Sequence, residues 1–235
     1  MENAFQRLQE LRDSTDLSKI KLAIDRFKRA SVEEPTSRKI CIDQILKSIF
    51  QNNLTAELFD RIEDLFEFIR DPRIFLDELD RYTENKSLVV STLMFIHELK
   101  CHFNIEYDEF YPKLASTVQK ENCISEGYLL FLLKALKDSR IDEDYIKPIL
   151  PRLSEASVEV SSKSCVKVLY TIIVILRMHP ELFRTAKDLN QLYILLNSFE
   201  PIARIAKRIF VEAENPQLRP AMVFLENFVF PSLEN

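Results

Sequence analysis

Three residues of the segment "HELKCH" have the types that hold metal ions: His97, Cys101 and His102. His97 and Cys101 are four apart, so a helix would set both on one face, within reach of one ion. A structural zinc needs four such ligands, and the chain has no C-x-x-C and no second histidine pair to complete the set. The expectation is no metal and no other cofactor, with Cys101 in a core and the two histidines at its edges. Acid–base chemistry begins and ends in the same way. Glu63 and Glu67 share a helix face by their spacing, but without a polar pocket contributed from elsewhere such carboxylates are solvated rather than catalytic. The single glycine rules out G-x-x-x-x-G-K-[ST], G-x-G-x-x-G and G-x-S-x-G, and H-E-x-x-H is absent. The chemistry-bearing residues therefore point away from an enzyme.

What remains is a chain rich in interaction features, and "FNIEYDEFYPKL", residues 103–114, is the densest of them. Phe103, Tyr107, Phe110, Tyr111 and Pro112 crowd into a space where one amphipathic helix needs fewer rings. Large rigid rings of this kind either fix the corner between two helices or anchor a partner. The proline-spaced "YIKPILPRL" and the basic "RIAKRIF", with Arg204, Lys207 and Arg208 on one side of a helix, are further surfaces of interest.

The elements that position these residues are helices. One glycine against 10 prolines in 235 residues leaves little material for tight hairpins, so the turns must join helix to helix and the fold is all-α. Leu17, Ile20, Ala23, Ile24 and Phe27 form one helical stripe. Ile42, Ile45, Leu46 and Ile49 form a second behind Ser37, and Leu58, Phe59, Ile62, Leu65, Phe66 and Ile69 a third behind Thr55. Asp71-Pro72 reads as a cap followed by a first-turn proline. Ser87 opens a long apolar helix, Asp108 caps the next, Ser125 caps "EGYLLFLLKALKD" and Asp142 caps a segment that Pro148 and Pro151 must kink or leave irregular. The run "VLYTIIVIL" within 162–178 has strand propensity, but its length and neighbours favour a buried helix. Pro180, Pro201 and Pro220 open three more helices. Prolines recurring every 32 to 40 residues match the two-helix period of a HEAT-like α-solenoid of stacked antiparallel helix pairs.

Charge sets further bounds. The formal net charge is −5, so the chain as a whole is not a nucleic-acid clamp. Ten acids against four arginines occupy 57–84, while Lys19, Lys21, Arg26, Lys28 and Arg29 stand against Asp25 alone. Each stretch is a solvated helix face or a docking surface of one sign. Direct RNA contact is expected to be weak and local to these bases or to Arg204–Arg208. The four separated cysteines read as free thiols in a reducing compartment. The longest apolar runs fall far short of the ~20 residues of a membrane span.

Four ordered segments resemble the CCAAT-binding-factor-like, nucleolar-complex family of ribosome assembly factors. "STLMFIHELKCHFNIEYDEFYPKLASTV" follows the family pattern through Asn104, Glu106, Tyr107, Phe110, Tyr111, Lys113 and Leu114. "YLLFLLKALKDSRIDEDYIKPILPRLSEA" echoes the next block, with Tyr145, Arg152 and Leu153 in matching places. "VLYTIIVILRMHP" keeps Arg177, His179 and Pro180 of the block ending R-H-P. "DLNQLYILLNSFEPIARIAKRI" looks like the family tail, with Phe199-Glu200-Pro201 in place of Tyr-His-Pro. The resemblance covers about residues 90–210, and Asp108 stands where the family pattern has proline. It divides the chain into a divergent N-terminal helical region, 1–85, and a nucleolar-complex-type helical-repeat domain, 86–235.

The resemblance implies a nuclear, nucleolar protein of the small-subunit processome that serves ribosome biogenesis and rRNA processing as a scaffold. It also implies a stable heterodimer with another nucleolar small-subunit assembly factor, within the pre-ribosomal particle and away from membranes. Without the resemblance, the bulk properties suit a cytoplasmic helical-repeat adaptor equally well. The end of the chain, "RPAMVFLENFVF", holds more apolar residues than one helix face can take. Partner contact is therefore expected at Phe224 and Phe228, rimmed by Arg204, Lys207 and Arg208.

Overall fold

The structure is a computed structural model that describes residues 65–138, 141–198 and 200–214, with isolated positions between 22 and 62. Every regular element among the described residues is a helix, so the protein is all-α. The chain forms two compact units, Met1–Phe110 and Tyr111–Asn235. That division falls inside the aromatic motif.

The first unit is built around phenylalanine. Phe95 sits at the centre, with ring centroids 4.8, 5.5 and 5.8 Å from Phe59, Phe66 and Phe50, and Phe50 meets Phe75 edge-on at 5.2 Å. The described members of the second and third stripes, Leu46, Ile49, Phe59, Ile62, Leu65, Phe66 and Ile69, are all buried. The first stripe and the caps Ser37 and Thr55 lie outside the described residues. Asp71 behaves as its type predicts: its side chain accepts from the Arg73 amide, and Pro72 opens the 3-10 helix Pro72–Phe75. Helix α1 (Leu76–Thr83) packs on that turn and on α2 (Val89–Phe103). The helix expected from Ser87 starts two residues later. Ser87 instead donates its hydroxyl and amide to Asn85 Oδ1, and the capping position falls to Leu88, whose side chain cannot accept a bond.

The second unit begins within α3 (Phe110–Ser116), which is followed by α4 (Lys120–Cys123) and α5 (Glu126–Ala135). Ser125 caps α5 by accepting from the Tyr128 amide, and Asp142 caps α6 (Glu143–Ile146) by accepting from the Asp144 amide at 3.0 Å. Pro148 then ends that short helix and stands at the N-cap of α7 (Ile149–Glu159). Pro151 fits because it lies in the first turn of α7, where a missing N–H costs little. Residues 162–178 form α8 (Ser162–Met178), a helix despite their β-branched content. Thr171 to Arg177 are buried without interruption, so apolar residues are wanted on every face of that stretch. A 3-10 helix, Pro180–Asp188, leads to α9 (Asn190–Leu195) and α10 (Glu200–Glu214).

Packing in this unit follows a rule. Helix α4 packs on α5, α7 on α8, and α9 on α10. Between pairs, α7 touches α4 and α9, while α8 touches α5 and α10. The unit thus has one row, α4, α7, α9, and a second row, α5, α8, α10. Ion pairs tie the second row together: Lys167 of α8 with Glu126 of α5, and Arg177 of α8 with Glu212 of α10.

Candidate partner-binding site

The residues of "FNIEYDEFYPKL" do different jobs. Helix α2 ends because Asn104 turns into the left-handed region, φ 51° and ψ 45°. It is the one non-glycine residue with positive φ among the described residues, and the lone Gly127 sits in the first turn of α5 instead. Asparagine tolerates this conformation because its short side chain can bond locally. Asn104→Val should cost about 1–2 kcal/mol, and Asn104→Gly should cost little. Equilibrium urea unfolding of the two variants checks this.

The chain then dives inward. Ile105 is buried, and the Tyr107 hydroxyl donates to Asp80 of α1. Burial, reinforced by that bond, holds the Tyr107 phenol well above its ordinary pKa. Phe110 and Leu114 are fully buried, while Glu106 is exposed and Lys113 half-buried. Phe103 packs its ring on Phe66 at 5.7 Å. Tyr111, half-buried, lies 5.4 Å from Tyr145, which is 40% exposed, so this ring pair reaches the surface.

The metal-like cluster resolves differently from the expectation. His97 is the buried member, stacked on Phe110 at 5.9 Å, and Cys101 is exposed, with its Sγ 3.6 Å from His97 Nε2. Spacing alone puts both on one side of α2. Which of them lies beneath Phe110 depends on where α3 begins. His102 is exposed against Phe103 and Phe66. No group of three or more His, Cys, Asp or Glu able to hold a metal occurs among the described residues. No helix among them is long and apolar enough to cross a membrane.

Burial pushes the Cys123 thiol up to about 12 and the Cys165 thiol up to about 11. Thiolate is the reactive form. In the native protein at pH 8, a maleimide should therefore label Cys101 and leave Cys123 and Cys165 untouched until denaturant is added. Peptide mapping of the labelled protein reads this directly.

The R-M-H-P motif lies where α8 meets both of its row neighbours. Arg177 Nε donates to Glu212 Oε2 at 2.9 Å, its Nη2 donates to Glu212 Oε1, and Arg208 Nε reaches the same Oε1 at 2.7 Å. The Arg177 and Glu212 side chains are 3% and 2% exposed. His179 Nε2 donates to the Leu136 carbonyl at 2.7 Å, at the end of α5. Pro180, exposed, opens the following 3-10 helix. Arg177 and His179 thus join neighbouring helices rather than face a ligand. Arg204 and Lys207 are exposed on α10, but Arg208 turns back to Glu212, so the basic face is narrower than the sequence suggests. Lys19, Lys21, Arg26, Lys28, Arg29, Phe224 and Phe228 lie outside the described residues.

A groove of about 610 Å³ lies between α4 and α7 in the second unit. Its apolar lining is Val118 and Ala156, which are buried, and Pro148 and Pro151, which are exposed. Five charged residues line it: Lys120 and Glu121 from α4, and Arg152, Glu155 and Glu159 from α7. Arg152, already marked by its place in the second motif, and the two prolines of "YIKPILPRL" are the residues singled out from sequence that line it. The others were invisible because the groove arises from two helices about thirty positions apart. The proline pair of "YIKPILPRL" was the available signal. The chain matches no family model and no curated protein.

Proposed function

We propose that the protein is a non-catalytic helical scaffold of small ribosomal subunit assembly, most like the fourth nucleolar complex protein. In this reading it acts in the nucleolus, in the small-subunit processome, as the stable partner of another assembly factor during pre-rRNA processing. The observation that carries it is the occurrence, in order, of four family-like segments across about residues 90–210. We also infer that the helix pairs are HEAT-like repeats. Two rows in which each pair meets the next, α4/α5 then α7/α8 then α9/α10, are what a stacked solenoid requires.

The positions of the motif residues support a scaffold. Asn104, Tyr107, Phe110 and Leu114 serve helix ends and core, and Arg177 and His179 tie one helix to its row neighbours. Such residues fix the shape of a binding surface rather than perform chemistry on it. The groove offers exposed charges, suited to recognising a partner; acid–base catalysis favours groups drawn out of water.

Fluorescence microscopy of the tagged chain at native expression tests the destination. Co-localisation with nucleolar markers is expected. A diffuse cytoplasmic signal would favour the adaptor reading.

A further inference from the structure

We propose that the groove between α4 and α7 binds a short extended peptide of a partner protein, with an aliphatic side chain between an acidic end and a basic end. This deepens the scaffold reading, on which it rests for the partner's being a protein.

Charge carries the first step. Lys120, Glu121, Arg152, Glu155 and Glu159 are all exposed, and none makes an ion pair with another described residue. Lys147, one short helix away, by contrast pairs with Glu143 and Asp144. Five charges around one depression, unpaired among the described residues, form a surface suited to a complement on another molecule.

The order of the charges gives direction. On α7 the groove-lining residues Pro148, Pro151, Arg152, Glu155, Ala156 and Glu159 recur at helical spacing, so they form one stripe. Along that stripe the cation Arg152 comes first, and the carboxylates Glu155 and Glu159 follow one and two turns on. A ligand lying along it meets positive charge at one end and negative charge at the other. On that stripe Ala156 is buried between Arg152 and Glu159, and with the buried Val118 it gives an apolar seat for one aliphatic side chain; the exposed Pro148 and Pro151 precede Arg152.

Length fixes the size. From Pro148 to Glu159 the helix rises about 16 Å. An extended peptide covers that distance in about five residues. The volume of about 610 Å³ suits so short a segment. A nucleic-acid strand is the poorer occupant, because three carboxylates face it against two cations and its phosphates repel them.

The test uses the purified full chain and fluorescence polarisation. The probes are the labelled peptide Glu-Ser-Leu-Lys-Arg, its reversed order Arg-Lys-Leu-Ser-Glu, the all-acidic Glu-Ser-Leu-Glu-Glu, and an oligouridylate. One of the two mixed-charge peptides should bind, and the all-acidic peptide should not. Combining Glu155→Lys with Glu159→Lys should weaken the mixed-charge peptide by about tenfold or more, equivalent to about 1.4 kcal/mol, and let the all-acidic peptide bind instead. Arg152→Glu, made separately, should weaken the original peptide and be rescued by replacing its glutamate with lysine. This second variant keeps the test alive if the double variant fails to fold.

Failure of every peptide to bind would overturn the proposal. So would binding indifferent to these reversals, or preference for the oligouridylate. Purification of the wild-type chain from cells separates the two claims. Small-subunit factors recovered while the peptides fail would remove the groove assignment alone. Peptide binding with no pre-ribosomal material would remove the ribosomal destination alone.

Discussion

Glu212→Ala is expected to lower the unfolding free energy by about 3–5 kcal/mol, a large share of what a domain of this size has. The carboxylate accepts from Arg177 and Arg208 at a site closed to water. Its removal leaves the Arg177 guanidinium buried and unpaired, and Arg177 Nη1 already lacks a hydrogen-bond partner among the described residues. The desolvation of a lone buried charge is what makes the loss large. Two companion variants separate this from a general packing defect. Arg208→Ala should cost no more than about 1 kcal/mol, because its side chain is 40% exposed. Arg177→Met combined with Glu212→Leu should cost much less than either charge deletion alone, because it removes both charges at similar volume. Guanidinium unfolding followed by circular dichroism measures all of them. Similar losses for the double variant and for Glu212→Ala would mean that packing, not charge, sets the cost.

Phe110→Ala is expected to cost about 3–5 kcal/mol by cavity formation. The ring is fully buried, stacks on His97 and receives the Lys100 ammonium 4.4 Å above its face. Burial, first of all, lowers the Lys100 pKa, so the ring face is a compensating partner for a partly dehydrated cation. Tyr111→Ala, next along the chain, should cost far less, since its ring is only half-buried and pairs with the exposed Tyr145. The same denaturation series compares them. Equal costs at the two positions would contradict the division of the motif into a buried anchor and an open ring pair.

The helices were legible where local chemistry decides them. Asp71-Pro72, Ser125 and Asp142 each cap as their types predict, because the bond is made to an amide two or three residues on. The run 162–178 was legible only by context. β-branched residues allow strand or helix, and burial against neighbours on all sides decides for α8. Ser87 failed as a helix start because Asn85, two residues earlier, takes both its hydroxyl and its amide.

The groove and the contacts that tie the helices were less legible, because they are made of residues distant in sequence. Glu212 joins Arg177 across 35 positions, yet it left a trace. It continues the buried stripe Ile202, Ile205, Ala206 and Ile209 by one further turn, and an acid on an apolar stripe asks for a buried cation. The exchange of roles between His97 and Cys101 left no trace, since helical spacing places both on one face without saying which is covered.

We propose that this chain is a working part of small-subunit assembly. Affinity purification of the tagged full chain from cells, with RNA sequencing and mass spectrometry of what is retained at moderate salt, tests it most directly. Recovery of precursor small-subunit rRNA together with one near-stoichiometric assembly-factor partner is expected. Recovery of the chain with neither pre-ribosomal RNA nor small-subunit assembly factors would contradict it.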